Sequence, residues 1–370
     1  MNKNIVLAVL CVVLLSGLIK AKADSGGQSV STGMDWKRGI QVDEFIYDSA
    51  SFVSVHAPTI EETPAGLVAA FFGGKYEGHP EVCIYVSRLV DSQWTIPVKV
   101  ADGIVNDTLQ KACYNPVLYQ VPGKELILFY KIGKNIQDWS GHLIRSFDNG
   151  ETWSAPEALP EGFLGPIKNR PMLLDETLIC GSSTEDQGWR VHFEFTDDLG
   201  KTWTKTNPLN DKTWDIIQPS ILMHQDGKLQ MVCRSQNEAV VSSFSADQGK
   251  TWSSPFALAV PNNNSGIDAI NLQDGRFLLV YNHVKAAQSA YQERKRTPLN
   301  VALSDDGIHW EASLILEDSP IGEYSYPSVI QGKDGMVHIV YTWRREKVKY
   351  VKIAPSQLSR ALFKNGLWPF

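Results

Sequence analysis

Six short stretches of this chain repeat one arrangement. A polar side chain stands beside a proline or an aspartate at the head of an apolar run. The stretches are His56-Ala57-Pro58-Thr59-Ile60, Tyr114-Asn115-Pro116-Val117-Leu118, Asn169-Arg170-Pro171-Met172-Leu173, Ile217-Gln218-Pro219-Ser220-Ile221, Gly266-Ile267-Asp268-Ala269-Ile270 and Ser325-Tyr326-Pro327-Ser328-Val329. Imidazole, amide, guanidinium and carboxylate groups between them supply donors, acceptors and both signs of charge. That is the chemistry of holding a polar ligand. Asn115, Arg170, Gln218 and Asp268 are read as binding positions if the fold brings these openings together.

Metal and nucleotide chemistry find no footing. Beyond the N-terminal region the cysteines are Cys83, Cys113, Cys180 and Cys233. None has the spacing of a C-x-x-C or Cys/His metal site. Three lie inside apolar runs, which reads as buried free thiols. No P-loop or dinucleotide fingerprint occurs. No metal and no cofactor is expected.

A second repeat supplies the elements that must position those openings. Ser146-x-Asp148-x-Gly150-x-x-Trp153 recurs as Thr196 to Trp203 and Ser245 to Trp252. Ser304 to Trp310 is a copy shortened by one residue, and Ser87 to Trp94 a worn one. An Asp in a tight turn accepts backbone N–H groups ahead of it. Gly supplies a positive φ, and Trp brings apolar area to wedge against a neighbouring unit. The period lies near fifty residues, the span of a four-stranded blade. Each opening is followed by a second apolar run, often across an Asp-Gly turn such as Asp226-Gly227, Asp274-Gly275 or Asp334-Gly335.

The expected fold is all-β, a six-bladed β-propeller. The sixth unit lacks a tryptophan turn, so Glu44-Phe45-Ile46-Tyr47 is expected to supply its outer strand and close the ring. Both sets of strand ends then line one central funnel. Residues 43–370 are read as one propeller domain, preceded by a flexible segment over 24–42.

Residues 1–23 read as a secretory signal: a short basic start at Lys3, an apolar run from Ile5 to Ile19, and the small-residue site Ala21-Lys22-Ala23. Cleavage after Ala23 predicts a secreted or periplasmic protein with no membrane span. It also removes three lysines and no acid, moving the formal net charge from −6 to −9. Nucleic acid is excluded as a partner on that balance. An anionic ligand is not, because a few arginines in a funnel act locally.

The tryptophan turns and the count of six units resemble the sialidase (neuraminidase) superfamily, where such turns are called Asp-boxes. The resemblance covers about residues 43 to 355 and points to a divergent, sialidase-like BNR-repeat branch. It implies an exo-acting glycosidase for a terminal acidic sugar, so an acidic glycan is the expected partner. Sialidases hold the sugar carboxylate with three arginines, use a tyrosine activated by a glutamate as nucleophile, and use an aspartate as acid/base. Carried over by position, Arg234 and Arg296 (Arg294 as alternate) are the matching arginines. Tyr324, in Glu323-Tyr324-Ser325-Tyr326-Pro327, is the matching tyrosine. Three positions depart from the pattern. His56 replaces the first arginine, Glu81 the aspartate and Gln218 the activating glutamate. Catalytic expectations therefore fall on Tyr324, Glu81, His56 and Gln218. Two other readings stay open: a uronate lyase using His/Tyr acid–base chemistry, and a glycan-binding propeller without catalysis.

Overall fold

Residues 34–285 and 296–370 are described in a computed structural model. The expected signal sequence over 1–23, the first part of the 24–42 segment and Arg294 lie outside them. The compact unit runs from Asp35 to Phe370, so it takes in Trp36 and Lys37 ahead of residue 43. Lys37 Nζ donates to Leu316 O at 2.9 Å, and the Trp36 ring meets Trp368 edge-on at 5.2 Å.

Six antiparallel sheets form the blades of a propeller. Their innermost strands are Ser54–Thr63, Ala112–Gln120, Met172–Leu174, Ile216–Met223, Asp268–Asn271 and Tyr324–Gln331. Blades 1 to 6 are numbered in that order. Ile40–Phe45 pairs with Lys347–Ile353 and closes the ring as the outer strand of blade 6. Ala361–Leu362 adds a fifth strand to blade 5. The tail holds one short 3-10 turn, Pro355–Gln357.

Second strands such as Leu126–Gly133 and Leu229–Ser235 are buried throughout. Each is covered on both faces by neighbouring blades, so its sequence is apolar without clean alternation. The core is a set of wedges between blades. Trp153 packs into the wedge between blades 1 and 2, Trp203 into the next, then Trp252 and Trp310, while Trp94 fills the wedge between blades 6 and 1. Each of these five tryptophans thus seals its own blade onto the preceding one.

The turns behind these tryptophans do what their residues dictate. Asp148 Oδ1 accepts from Glu151 N at 3.1 Å and Thr152 N at 2.8 Å, and Ser146 Oγ accepts from Gly150 N at 2.7 Å. Gly150 has φ +85°. The hydroxyl and backbone N–H of Thr152 hold the Asp148 carboxyl at about 2. The copies at Asp198, Asp247 and Asp306 repeat the scheme. The four described cysteines are buried and free.

Candidate active site

The innermost strands share an irregularity that sets the site. In blades 1, 2, 4 and 6 the residue before the proline has a left-handed backbone: Ala57 at φ +49°, Asn115 at +35°, Gln218 at +57° and Tyr326 at +52°. The pairing register slips at each, between His56 and Thr59, Tyr114 and Val117, Ile217 and Ser220, and Ser325 and Ser328. These are β-bulges. Such a conformation costs a non-glycine residue about 1–3 kcal/mol, so four copies need firm support. A bulge also breaks the two-residue alternation of a strand and re-aims a side chain.

The two tyrosines of Glu323-Tyr324-Ser325-Tyr326-Pro327 take different places on this account. Tyr324 and Tyr326 would share a face in a regular strand. The bulge parts them. Tyr324 is buried in the apolar wedge between blades 5 and 6, and its hydroxyl donates to Ile321 O at 3.2 Å. Tyr326 faces the mouth of the channel. Arg234 Nη1 donates to its hydroxyl oxygen at 2.7 Å, and the Arg296 guanidinium lies 5.4 Å from its ring centroid.

Arg234, Arg296, His56 and Gln218 meet around Tyr326. Arg234 is buried; it also donates to Gln218 Oε1 at 3.3 Å and lies 4.7 Å from the Trp189 ring centroid. Its Nε is buried without a hydrogen-bond partner among the described residues. Arg296 donates to Glu323 Oε1 at 3.0 Å. The His56 ring packs against Tyr326 with centroids 4.2 Å apart.

A third guanidinium, which the motif comparison did not find, is Arg345. It leaves the turn after strand Val337–Trp343 in blade 6. Its Nε bonds both oxygens of Glu323 at 3.2 Å, its Nη1 meets Glu77 Oε2 at 2.5 Å, and its Nη2 reaches His56 Nε2 at 3.3 Å. Arginine only donates, so His56 Nε2 accepts and Nδ1 carries the proton, donated to Thr342 Oγ1 at 2.9 Å. Burial, then the charges of Arg345, Arg296, Arg234 and Lys168, push His56 well below the usual histidine range. It is a neutral imidazole. Burial raises Glu323, but Arg296 and Arg345 outweigh it and hold that carboxyl below its usual range.

Glu81 does not reach this cluster. Its side chain is 74% exposed and faces His79 Nδ1 at 3.6 Å. The acids near the mouth are Glu77, on Arg345, and Glu185, whose neighbours are Arg234, Trp189 and Glu77. Burial pushes Glu185 above the usual glutamate range, against the opposing pull of Arg234 and a hydrogen bond from Trp189.

The remaining expected binding residues lie away from this cluster. Asp268 is buried beneath the mouth with its oxygens occupied: Oδ1 accepts from Ser220 Oγ at 2.8 Å and Ala269 N at 2.9 Å, and Oδ2 from Val329 N at 2.9 Å. It ties blades 4, 5 and 6 together. Asn115 contributes a backbone carbonyl to Lys131 Nζ at 3.3 Å. Arg170 turns toward the opposite end of the channel. There its Nε donates to buried Glu61 at 2.6 Å, its guanidinium covers the Tyr119 ring at 4.9 Å, and it lines a cavity of about 620 Å³.

Tyr326 was visible in sequence as the residue before Pro327, the place Gln218 holds before Pro219. Arg345, Glu77, Glu185 and Trp189 lie in loops outside both repeats and had no such marker. Among the described residues no group of His, Cys, Asp and Glu is arranged to hold a metal ion, and no helix is long and apolar enough to cross a membrane.

Comparison with known proteins agrees with this architecture. Residues 65–339 match the BNR repeat-like domain family. A curated sialidase of Paraclostridium sordellii is 22% identical over 328 residues, covering 77% of this chain and 80% of its own. A solved protein of unknown function from Dyadobacter fermentans has TM-score 0.68 and 16% identity, with 88% of this chain and 99% of that one covered. The intramolecular trans-sialidase of Ruminococcus gnavus has TM-score 0.66 and 14% identity, with 85% and 97% covered. At such identities the structural likeness speaks for the fold, while the family match spans most of the propeller. This chain belongs to the BNR repeat-like domain family, as a divergent sialidase-like β-propeller.

Proposed function

We propose that this protein is an exo-acting glycoside hydrolase that removes a terminal acidic sugar, sialic acid or a relative, from glycans. One observation carries the reading: Arg234, Arg296 and Arg345 gather around a single tyrosine, Tyr326, at one mouth of the channel. Guanidinium forks match a carboxylate in shape and stay charged. The buried, unpartnered Nε of Arg234 is a donor that a bound anion satisfies. The names of the Paraclostridium and Ruminococcus relatives point the same way.

In this reading Arg234, Arg296 and Arg345 hold the sugar carboxylate, with Glu323 bracing the last two from behind. Tyr326, its phenolic proton given up to water, attacks the anomeric carbon as the bond to the leaving oxygen breaks, and a water then cleaves the tyrosyl–sugar bond and restores the phenol. Its oxygen sits beside Arg234, so charge developing there meets a fixed cation. Gln218 occupies the base position without being able to take a proton; it orients Arg234 instead. Glu185, the acid that burial pushes above the usual glutamate range, delivers a proton to the leaving oxygen.

Both ring nitrogens of His56 are engaged, by Thr342 and Arg345. That removes the free base a lyase would need. Purified protein should release free acidic sugar from sialosides or related acidic glycosides. An unsaturated uronate absorbing in the near ultraviolet, or binding without turnover, would overturn the proposal.

A further inference from the structure

The four strained bulges raise the question of what holds them. Blade 3 gives the answer by being incomplete. Its innermost strand is only Met172–Leu174, where blades 1, 2, 4 and 6 have strands of eight to ten residues. The preceding residues, 164–171, make no strand; Ile167 N donates to Gly181 O of their own blade at 3.0 Å, and their side chains are free to reach the other blades. Glu194 accepts from Leu164 N at 3.0 Å and Gly165 N at 2.7 Å. Lys131 Nζ then clamps Pro166 O together with Asn115 O, the carbonyl of the blade 2 bulge.

Beyond that clamp the segment turns outward to the other blades. Lys168 is buried. Its ammonium donates to Asn169 Oδ1 at 2.7 Å, to Ile267 O of blade 5 at 2.9 Å, and to Pro327 O of blade 6. Asn169 Nδ2 in turn donates to Gln218 O of blade 4 at 3.0 Å. All three ammonium protons are used, and carbonyls at or beside the Gln218 and Tyr326 bulges end on this one segment. An ammonium buried this deeply is costly unless it is fully hydrogen-bonded. Here that requirement ties together the residues whose backbone conformations are least favourable. Lys168 Nζ lies 6.0 Å from the centroid of the Tyr326 ring.

We infer that Lys168 is a positioning residue: by holding the Pro327 carbonyl it fixes the left-handed backbone at Tyr326 and with it the place of the phenol against Arg234. The inference deepens the proposed function and rests on Tyr326 being the attacking group. Asp268, Arg234, His56 and Tyr326 are the charged and titratable groups that face this ammonium from blades 5, 4, 1 and 6. Burial, reinforced by Arg234 and opposed by Asp268, brings Lys168 down to about 8. Deprotonation above that pH removes one of its three donors and loosens the clamp.

The test is Lys168→Met in the full chain, with Asn169→Ala as a milder second variant should the first fail to fold. A reacting group displaced by about 1 Å loses on the order of 10²-fold in rate. Lys168→Met should therefore lower kcat by about that factor. KM should move by less than about threefold, because the three arginines remain. The wild type should lose kcat as pH rises through about 8, and the variant should lack that limb. Unchanged kcat, or the same alkaline limb in Lys168→Met, would overturn the inference. A crystal structure of the variant judges it without any assay. Tyr326 should leave the left-handed region and its hydroxyl should part from Arg234; an unmoved Tyr326 sinks the positioning role. Failure of the wild type to act on any acidic glycoside would instead strike the proposed function, leaving this structural comparison to decide the role of Lys168.

Discussion

The outer turns and the channel treat repetition in opposite ways. At the rim the same side chains recur in the same work: Asp148, Asp198, Asp247 and Asp306 each close a turn, and each tryptophan seals a wedge. In the channel the backbone recurs while the side chains do not. The bulge position holds Ala57, Asn115, Gln218 and Tyr326. A constant residue on a constant backbone marks a structural duty. A changing residue on a constant, strained backbone marks a place where the fold presents chemistry. The two ends of the channel sharpen the point. Arg170 at one end is matched by a single buried carboxylate, Glu61. At the other end Arg234, Arg296 and Arg345 exceed the two glutamates bound to them.

The most severe break of this contrast lies within one strand. Tyr326→Phe should lower kcat by at least about 10³-fold if the phenol oxygen is the nucleophile. Tyr324→Phe, two residues away, loses only a bond to Ile321 O and should leave kcat within about twofold. Equal losses in the two variants would return the role to the strand as a whole. Steady-state kinetics on a released acidic sugar decides between them.

At the rim the expected loss is of stability. Trp310 is buried in the wedge between blades 4 and 5, with its indole N–H on Gly307 O at 3.1 Å. Trp310→Ala should cost about 3–5 kcal/mol, read from denaturant unfolding, while the fraction that stays folded keeps its kcat. A variant of normal stability and low activity would place the rim in the chemistry and erase the distinction.

The arginines divide in the same manner. Arg234→Met should reduce kcat/KM by about 10²-fold, as expected for losing a buried charge partner of a ligand carboxylate. Arg170→Met should leave kcat/KM unchanged. It should instead lower stability by about 1–3 kcal/mol, because Glu61 stays buried without its cation. Side-chain exposure of 40% at Arg170 keeps that figure at the modest end. A kcat/KM loss in Arg170→Met would extend the site through the whole channel.

This contrast also explains what could be read from the sequence. Five tryptophans near a fifty-residue spacing and six proline or aspartate openings disclosed the ring, because rim and strand chemistry is local and repeated. Arg234, Arg296, His56 and Gln218 were legible because they sit at fixed offsets from those repeats. Tyr324 was chosen over Tyr326 because nothing in Glu323-Tyr324-Ser325-Tyr326-Pro327 reveals a bulge that breaks strand alternation. Glu81 was chosen over Glu77 and Glu185 because a loop's direction depends on partners far away in sequence, here Arg345 and Arg234. Lys168 was invisible for a related reason. Its acceptors are backbone carbonyls of other blades, and carbonyls carry no sequence signature.

A last contrast is read in pH. The rim carboxyls of Asp148 and Asp198 are held at about 2, chiefly by hydrogen bonds from Thr152 and Thr202. Their folded pKa values lie below the unfolded ones. Their stabilisation is therefore complete above the unfolded pKa of about 4 and is lost as pH falls toward 2. The channel lysines act at the other end of the scale. Burial brings Lys131 to about 7, against the opposing charges of Glu194 and Cys180, and Lys168 to about 8. Between roughly pH 7 and 8.5 the unfolded chain binds more protons than the folded one, so stability rises with pH over that window. Above about pH 8.5 the sign reverses, because burial raises the thiols of Cys83, Cys113, Cys180 and Cys233, and at higher pH tyrosines such as Tyr130 and Tyr281, while the unfolded chain ionises freely. Thermal melts should show a higher Tm at pH 8 than at pH 7, with the gain reduced in Lys168→Met. Activity should fall over the same range as the clamp on Tyr326 loosens. Stability and turnover moving in opposite directions between pH 7 and 8 is a result that a purely structural lysine does not produce, and parallel curves would remove Lys168 from the site.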